Sequence, residues 1–128
     1  MPRPIKNLSQ ARPLFLLMAV TTTLVVIYFS LNPPSVSVQP LPWWQHDKVL
    51  HTLSYFVLEC TYFLSLLKLK RPYTTTAMAA FLLGLLLEVL QSLPFFQRTF
   101  DWFDLLANGF GIGLALLGLK YFCNKQST

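Results

Sequence analysis

His51, Glu88 and Arg98 are the residues of this sequence whose types could share one reaction. An imidazole or a carboxylate can serve as general base, and a guanidinium can stabilise negative charge as it develops. That is the equipment of a membrane hydrolase or transferase. A nucleophile is harder to find: Ser54 and Ser92 are the candidates, and neither stands in a recognisable nucleophile motif. Asp47, Lys48, Gln91, Asp101, Asp104 and Asn108 complete the polar set. Lys48 and Arg98 would engage an anionic ligand, with the acids orienting those cations. No spacing of His, Cys and Asp demands a metal; His51, Glu88 and Asp101 would form a site only where the fold joins them. Nothing in the sequence asks for a cofactor.

Each of these residues also has a plainer use. Asp47 and Asp104 suit helix N-caps. Lys48 and Arg98 suit lipid phosphates at a membrane surface. His51 alone fits a hydrogen-bonded interfacial residue, while Gln91 and Asn108 fit amide bridges between helices. Glu59 stands apart from the other charges, as a neutral hydrogen-bonded acid or a functional one. Glu88 is the sharpest case. It lies in "GLLLEVLQ", a run of leucines where an ionisable group is costly.

The elements that would carry these groups are long and apolar. Of 128 residues, 54% are hydrophobic and 12% charged, and the apolar residues come in blocks rather than in alternation. Leu14 to Leu31 and Leu105 to Leu119 contain no charged residue. A bilayer core needs about 20 such residues per helix, so the blocks read as membrane spans of a single domain. Basic residues outnumber acidic ones 10 to 5. They sit at the ends of apolar segments, and no phosphate loop or nucleic-acid module is present, so nucleic acid is not the expected partner. Cys60 falls within a span and Cys123 just beyond the last, which argues against a disulfide between them.

Four helices are expected. The first covers about 14–31 and reads as an uncleaved helix, because "SLNPPS" offers no small-x-small cleavage site. A proline-rich loop follows, closed by Trp43 and Trp44 as interfacial anchors. The second runs from an Asp47 cap to about Leu67, where "KLKRP" stops it. The third spans about Thr74 to Leu93 before Pro94, and the fourth about Asp104 to Phe122. Eight cations then share one side: Arg3, Lys6, Arg12, Lys68, Lys70, Arg71, Lys120 and Lys125. The positive-inside rule puts that side, and both termini, in the cytoplasm. The expectation is an all-α, integral membrane four-helix bundle: a cytoplasmic N-terminus over 1–13, a transmembrane domain over 14–122 and a cytoplasmic tail over 123–128.

Spacing places the polar residues on shared faces. His51, Tyr55 and Glu59 recur every four residues, and Gly84, Glu88 and Gln91 follow a four-then-three step. Asp104, Asn108, Gly111, Ala115 and Gly118 form a third stripe, polar at one end and small below. The outer ends of helices two, three and four should therefore meet at one polar pocket. Glu88 would sit roughly 5–8 Å inside its helix end, paired with Arg98 or Lys48.

The ordered motifs "DKVLH", "GLLLEVLQ", Arg98, "DWFD" and "NGFGIG" resemble those of VanZ-like membrane proteins, over roughly residues 15–122. The resemblance implies a protein of the bacterial cytoplasmic membrane. Its signature positions map to Asp47, Lys48, His51, Glu88, Gln91, Arg98, Asp101, Asp104 and Asn108. It implies no particular reaction. Two functions stand: recognition of an anionic cell-envelope component, a lipid-linked phosphate or a peptidoglycan precursor, and a hydrolase or transferase using His51 or Glu88 as base. A proton-coupled transporter is disfavoured, since four short helices are few for alternating access.

Overall fold

A computed structural model describes residues 10–32, 43–96 and 98–127, with backbone alone for 43–46, 126 and 127. The described chain forms four α-helices and no strand. They are α1 (Arg12–Leu31), α2 (Trp43–Ser65), α3 (Pro72–Gln91) and α4 (Trp102–Ser127), with a 3-10 turn at Pro94–Phe96. The proline-rich loop lies outside the described residues, as do the side chains of Trp43 and Trp44.

α1, α3 and residues 102–125 of α4 are long and apolar enough to cross a membrane. α2 is not among them, and its position explains why. It packs against all three other helices. Its buried stripe carries Tyr55, Leu58, Glu59, Thr61 and Ser65, each at most 4% exposed. A helix face turned to protein can hold polar groups that lipid would reject. Large apolar side chains instead cover the outside, with Leu24, Leu106 and Leu117 all more than half exposed. Such a surface is compatible with lipid contact and unlike that of a soluble domain.

The helices alternate in direction. Arg12 at the start of α1 donates to the Ser65 carbonyl at the end of α2 (3.1 Å), and Lys120 lies over the Tyr73 ring at the start of α3 (5.7 Å). At the opposite end, Ser30 of α1 accepts from Gln91 at the end of α3 (2.7 Å). Midway, the Thr23 and Tyr62 hydroxyls lie 2.8 Å apart and tie α1 to α2. The apolar core between them is Val26, Tyr55, Leu58, Ala80, Leu87 and Ile112.

Two glycines set the packing distances. A Cβ on Gly111 would collide with the Thr52 carbonyl oxygen and lie 3.1 Å from the Phe56 nitrogen, so α2 and α4 touch backbone to backbone. A Cβ on Gly84 would lie 3.0 Å from Asn108 Nδ2 and 3.1 Å from the Tyr55 hydroxyl. The stripe expected along α4 is buried from Asp104 through Ala115 but not beyond. Gly118 is exposed and faces open space, as does a Cβ built on Gly113.

The helix ends differ from those expected. α2 begins at Trp43, so Asp47 lies inside the first turns and is not the cap. α3 begins at Pro72, which fits the first turn because its missing N–H has no intrahelical partner there. α4 begins at Trp102 and continues to Ser127, through most of the segment expected to be a tail.

Gly111→Ala is expected to destabilise the protein by about 1–3 kcal/mol, because the obstruction is backbone that no rotamer change removes. Gly113→Ala should leave the melting temperature unchanged or slightly raised. Thermal melts of both variants in the same detergent check the contrast.

Candidate functional site

The polar residues gather where α2 begins, α3 ends and α4 begins. Asp101 is the residue that caps α4. Its carbonyl accepts from Leu105 N (3.3 Å), and its Oδ1 accepts from Phe103 N (2.8 Å), the bond an N-cap side chain makes. Asp104, expected to be the cap, is instead the third residue of the helix. It is 2% exposed and points inward. Both acids gain from the positive end of the α4 dipole.

Lys48 reaches across from α2 to this helix start. Its ammonium donates to Asp101 Oδ2 (2.6 Å) and to Asp104 Oδ1, with Asp47 Oδ2 at 4.0 Å. Lys48 is thus occupied by carboxylates rather than presented to an anion. Asp101 stands just before the membrane-length stretch of α4. Burial would push its carboxyl up, but the Lys48 hydrogen bond, the Phe103 N–H and the Lys48 charge hold it below the usual aspartate value.

His51 sits one turn below Lys48. Its Nδ1 lies 2.8 Å from Asn108 Oδ1, and its Nε2 lies 3.7 Å from both Asp47 Oδ1 and Asp104 Oδ2. An amide oxygen can only accept, so with the Asn108 amide placed this way Nδ1 carries a proton. In the neutral ring Nε2 then holds the free lone pair. The ring is thus held between α2 and α4 in one orientation. Ligand atoms of Asp47, His51 and Asp104 all lie within 4.8 Å of one another, so this trio could hold a metal ion. It differs from the set His51, Glu88 and Asp101 considered from sequence.

Glu88 turns out to serve the helix start. It is 1% exposed, and its Oε2 accepts from Asp101 N (3.2 Å). That is the N-cap N–H which a Glu at the third helical position would take in a capping box; here α3 supplies the carboxylate instead. Among the described residues Glu88 lies within ion-pair distance of neither Arg98 nor Lys48. The expected pair does not form because both cations are drawn elsewhere. Arg98 Nη1 donates to the Ser30 carbonyl (3.2 Å), which Gln91 Nε2 also reaches. Together they satisfy a carbonyl at the negative end of α1 that has no helical partner.

A cavity of about 290 Å³ opens beside this cluster. Asp47, His51, Ser54, Tyr55, Ser30 and Arg98 supply its polar lining, and Val25, Val26, Phe29 and Leu50 the rest. Lys48, Glu88, Gln91, Asp101, Asp104 and Asn108 do not line it; they hold the elements that do. The two serines separate cleanly. Ser54 faces the cavity, whereas Ser92 is exposed and donates to the Val89 carbonyl (2.7 Å). Ser30 and Tyr55 were not singled out as site residues from sequence. Tyr55 shares the His51 stripe, so its spacing was a usable signal, but Ser30 enters only through its packing.

Glu59 lies away from the cluster, 0% exposed, with its Oε1 2.6 Å from the Thr76 hydroxyl. Its other oxygen has no partner among the described residues. Cys60 and Cys123 are both free thiols. No family model, curated protein or solved structure matches the chain. The site therefore stands on its own geometry.

Glu88→Gln keeps an acceptor for the Asp101 N–H and should cost little, while Glu88→Leu leaves that donor unsatisfied and should cost about 1–3 kcal/mol. Denaturation of the two variants in matched detergent distinguishes them. Because the Asp101 value is depressed in the folded state, its pairing contributes fully above the ordinary aspartate pKa of about 3.9 and is lost as pH falls through the lower folded value. Melting temperature should consequently drop more in wild type than in Asp101→Asn between about pH 5 and about pH 2.

Proposed function

We propose that the protein is a VanZ-like bundle of the bacterial cytoplasmic membrane that recognises an anionic cell-envelope component, a lipid-linked phosphate or peptidoglycan-related molecule. The observation that carries this reading is the cavity in which Arg98 and His51 stand together at one end of the bundle. Among the described residues Arg98 makes one hydrogen bond, which leaves further N–H groups of its planar fork for an anion. The resemblance of the ordered motifs supports the family and the membrane, and the cavity supports the ligand.

A second reading, a membrane hydrolase or transferase, is favoured by one specific feature. His51 is fixed by Asn108 on one nitrogen and faces two carboxylates with the other, and Ser54 lines the same cavity. In this reading His51 is the base and Arg98 the anion stabiliser. Glu88 is a positioning residue, since it is buried outside the cavity on the Asp101 N–H.

Charge distribution supports the orientation. Arg12, Lys68, Lys70, Arg71, Lys120 and Lys125 belong to the end opposite the cavity, so the positive-inside rule places the cavity on the outer side. In a chain without its native cysteines, Thr99→Cys should react with an impermeant thiol reagent applied outside cells, and Lys70→Cys should not. The reverse labelling would overturn the orientation.

Function is tested by extracting lipids from a strain lacking the protein and from strains carrying His51→Ala or Arg98→Gln at normal abundance. All three should accumulate the same phosphate-bearing envelope intermediate. If the reaction is catalysed here, loss of either group should slow turnover about 100-fold or more. Variants that behave as wild type would make the cavity architecture only.

A further inference from the structure

We propose that the groove between α1 and α2 holds the hydrocarbon chain of a phosphate-bearing lipid whose head sits at Arg98. The inference rests on the anion-binding reading above and names the form in which the anion arrives. A second cavity, of about 350 Å³, lies along the same two helices. It shares Val25, Val26 and Ser54 with the head cavity, so the two adjoin end to end as a trough between α1 and α2. From Ser30 and His51 at the polar end, the walls run back along α1 to Thr21 and down α2 to Val57. Ser30 lies nine positions beyond Thr21 on α1, a length of roughly 13 Å at 1.5 Å per residue.

The chemistry changes along that length. Arginine, histidine and serine line the head, whereas the lower walls are chiefly Val25, Val26, Leu53 and Val57. Val25, Leu53 and Val57 are each about half exposed on the side of the helices that would meet lipid, so the trough opens sideways. A soluble anion would find a charged end with nothing to fill the apolar trough below it. A lipid can enter laterally with its chain never leaving an apolar medium. The phosphate then meets the guanidinium, whose fork suits two of its oxygens. The Asp47 carboxylate also lines the head cavity and opposes the anion, because Lys48, 4.0 Å from it, is already bonded to Asp101 and Asp104; the attraction to Arg98 must outweigh it.

The test uses the full chain in phosphatidylcholine nanodiscs and two probes. Butyl phosphate probes the head alone, through the rise in melting temperature it causes in wild type but not in Arg98→Gln. Dodecyl phosphate bearing a mid-chain diazirine probes the groove, through photolabelling mapped by mass spectrometry. Labelling is expected at 21–26 and 53–57, at least about five-fold above that on Leu82, Leu86 and Leu117, which are equally open to lipid. It should fall to the level of those residues in Arg98→Gln. Val57→Trp, or Thr22→Trp on the opposite wall, should abolish it while preserving the butyl phosphate response, because neither residue lines the head cavity. Labelling spread evenly over all apolar faces overturns the groove; a retained butyl phosphate response would then leave the anion-binding reading standing. Absence of that response, together with labelling indifferent to Arg98, overturns both.

Discussion

At Gly111 the backbone of α4 lies against the Thr52 carbonyl of α2, with no side chain between them. That approach sets the distance at which everything above it meets. One turn nearer the site, Asn108 reaches His51 at 2.8 Å, and a further turn along, Asp104 meets Lys48. Thr52 adds a bond to the Ala107 carbonyl at 3.3 Å. Were the helices held farther apart by a side chain, these short groups would fall out of reach of one another. Each would then be a buried polar group without a partner, costly in an apolar surround. The glycine therefore belongs to the site although it touches none of the cavity.

The polar groups divide by what they must satisfy. Helix ends leave N–H and carbonyl groups unpaired, and in a medium without water these need protein partners. Asp101 and Glu88 serve the start of α4, while Gln91 and Arg98 serve the end of α1. Four members of the polar set, among them the candidate catalytic residues Glu88 and Arg98, are thus engaged in closing helices. The cavity inherits what is left over: the His51 ring, the remaining donors of Arg98 and the Ser54 hydroxyl. A site of this kind is built beside a capping network, and its lining comes from α1, α2 and the connection before α4.

Periodicity made much of this legible before any coordinates. Residues four and three apart on α2, α3 and α4 do share buried faces, and Glu88, Gln91, Asp104 and Asn108 are each at most 2% exposed. Partner choice was not legible. Asp104 reads as a cap only if the helix starts there; a start at Trp102 moves the cap to Asp101 and turns Asp104 inward. The same shift reassigns Lys48 from a ligand cation to the counter-charge of two acids. Glu88 was matched to a cation because sequence shows charges more readily than backbone donors. Its partner is the Asp101 N–H, invisible as a motif. The His51–Asn108 bond was within reach, since both stripes meet at one depth, but nothing in spacing alone names the pair.

The choice of cation at each position follows from these roles. Lys48 stands among Asp47, Asp101 and Asp104, acids that approach it from separate residues. A compact ammonium with three donors suits such a surround, and once placed there it has little left for a ligand. Position 98 asks for something else. Its side chain must satisfy the Ser30 carbonyl and still face the cavity. A planar guanidinium can bond a carbonyl with one N–H and keep others aimed away, which an ammonium does less well. The two basic residues of this end are therefore not interchangeable: one holds the α2–α4 junction closed, and the other is the positive charge that a bound anion would meet.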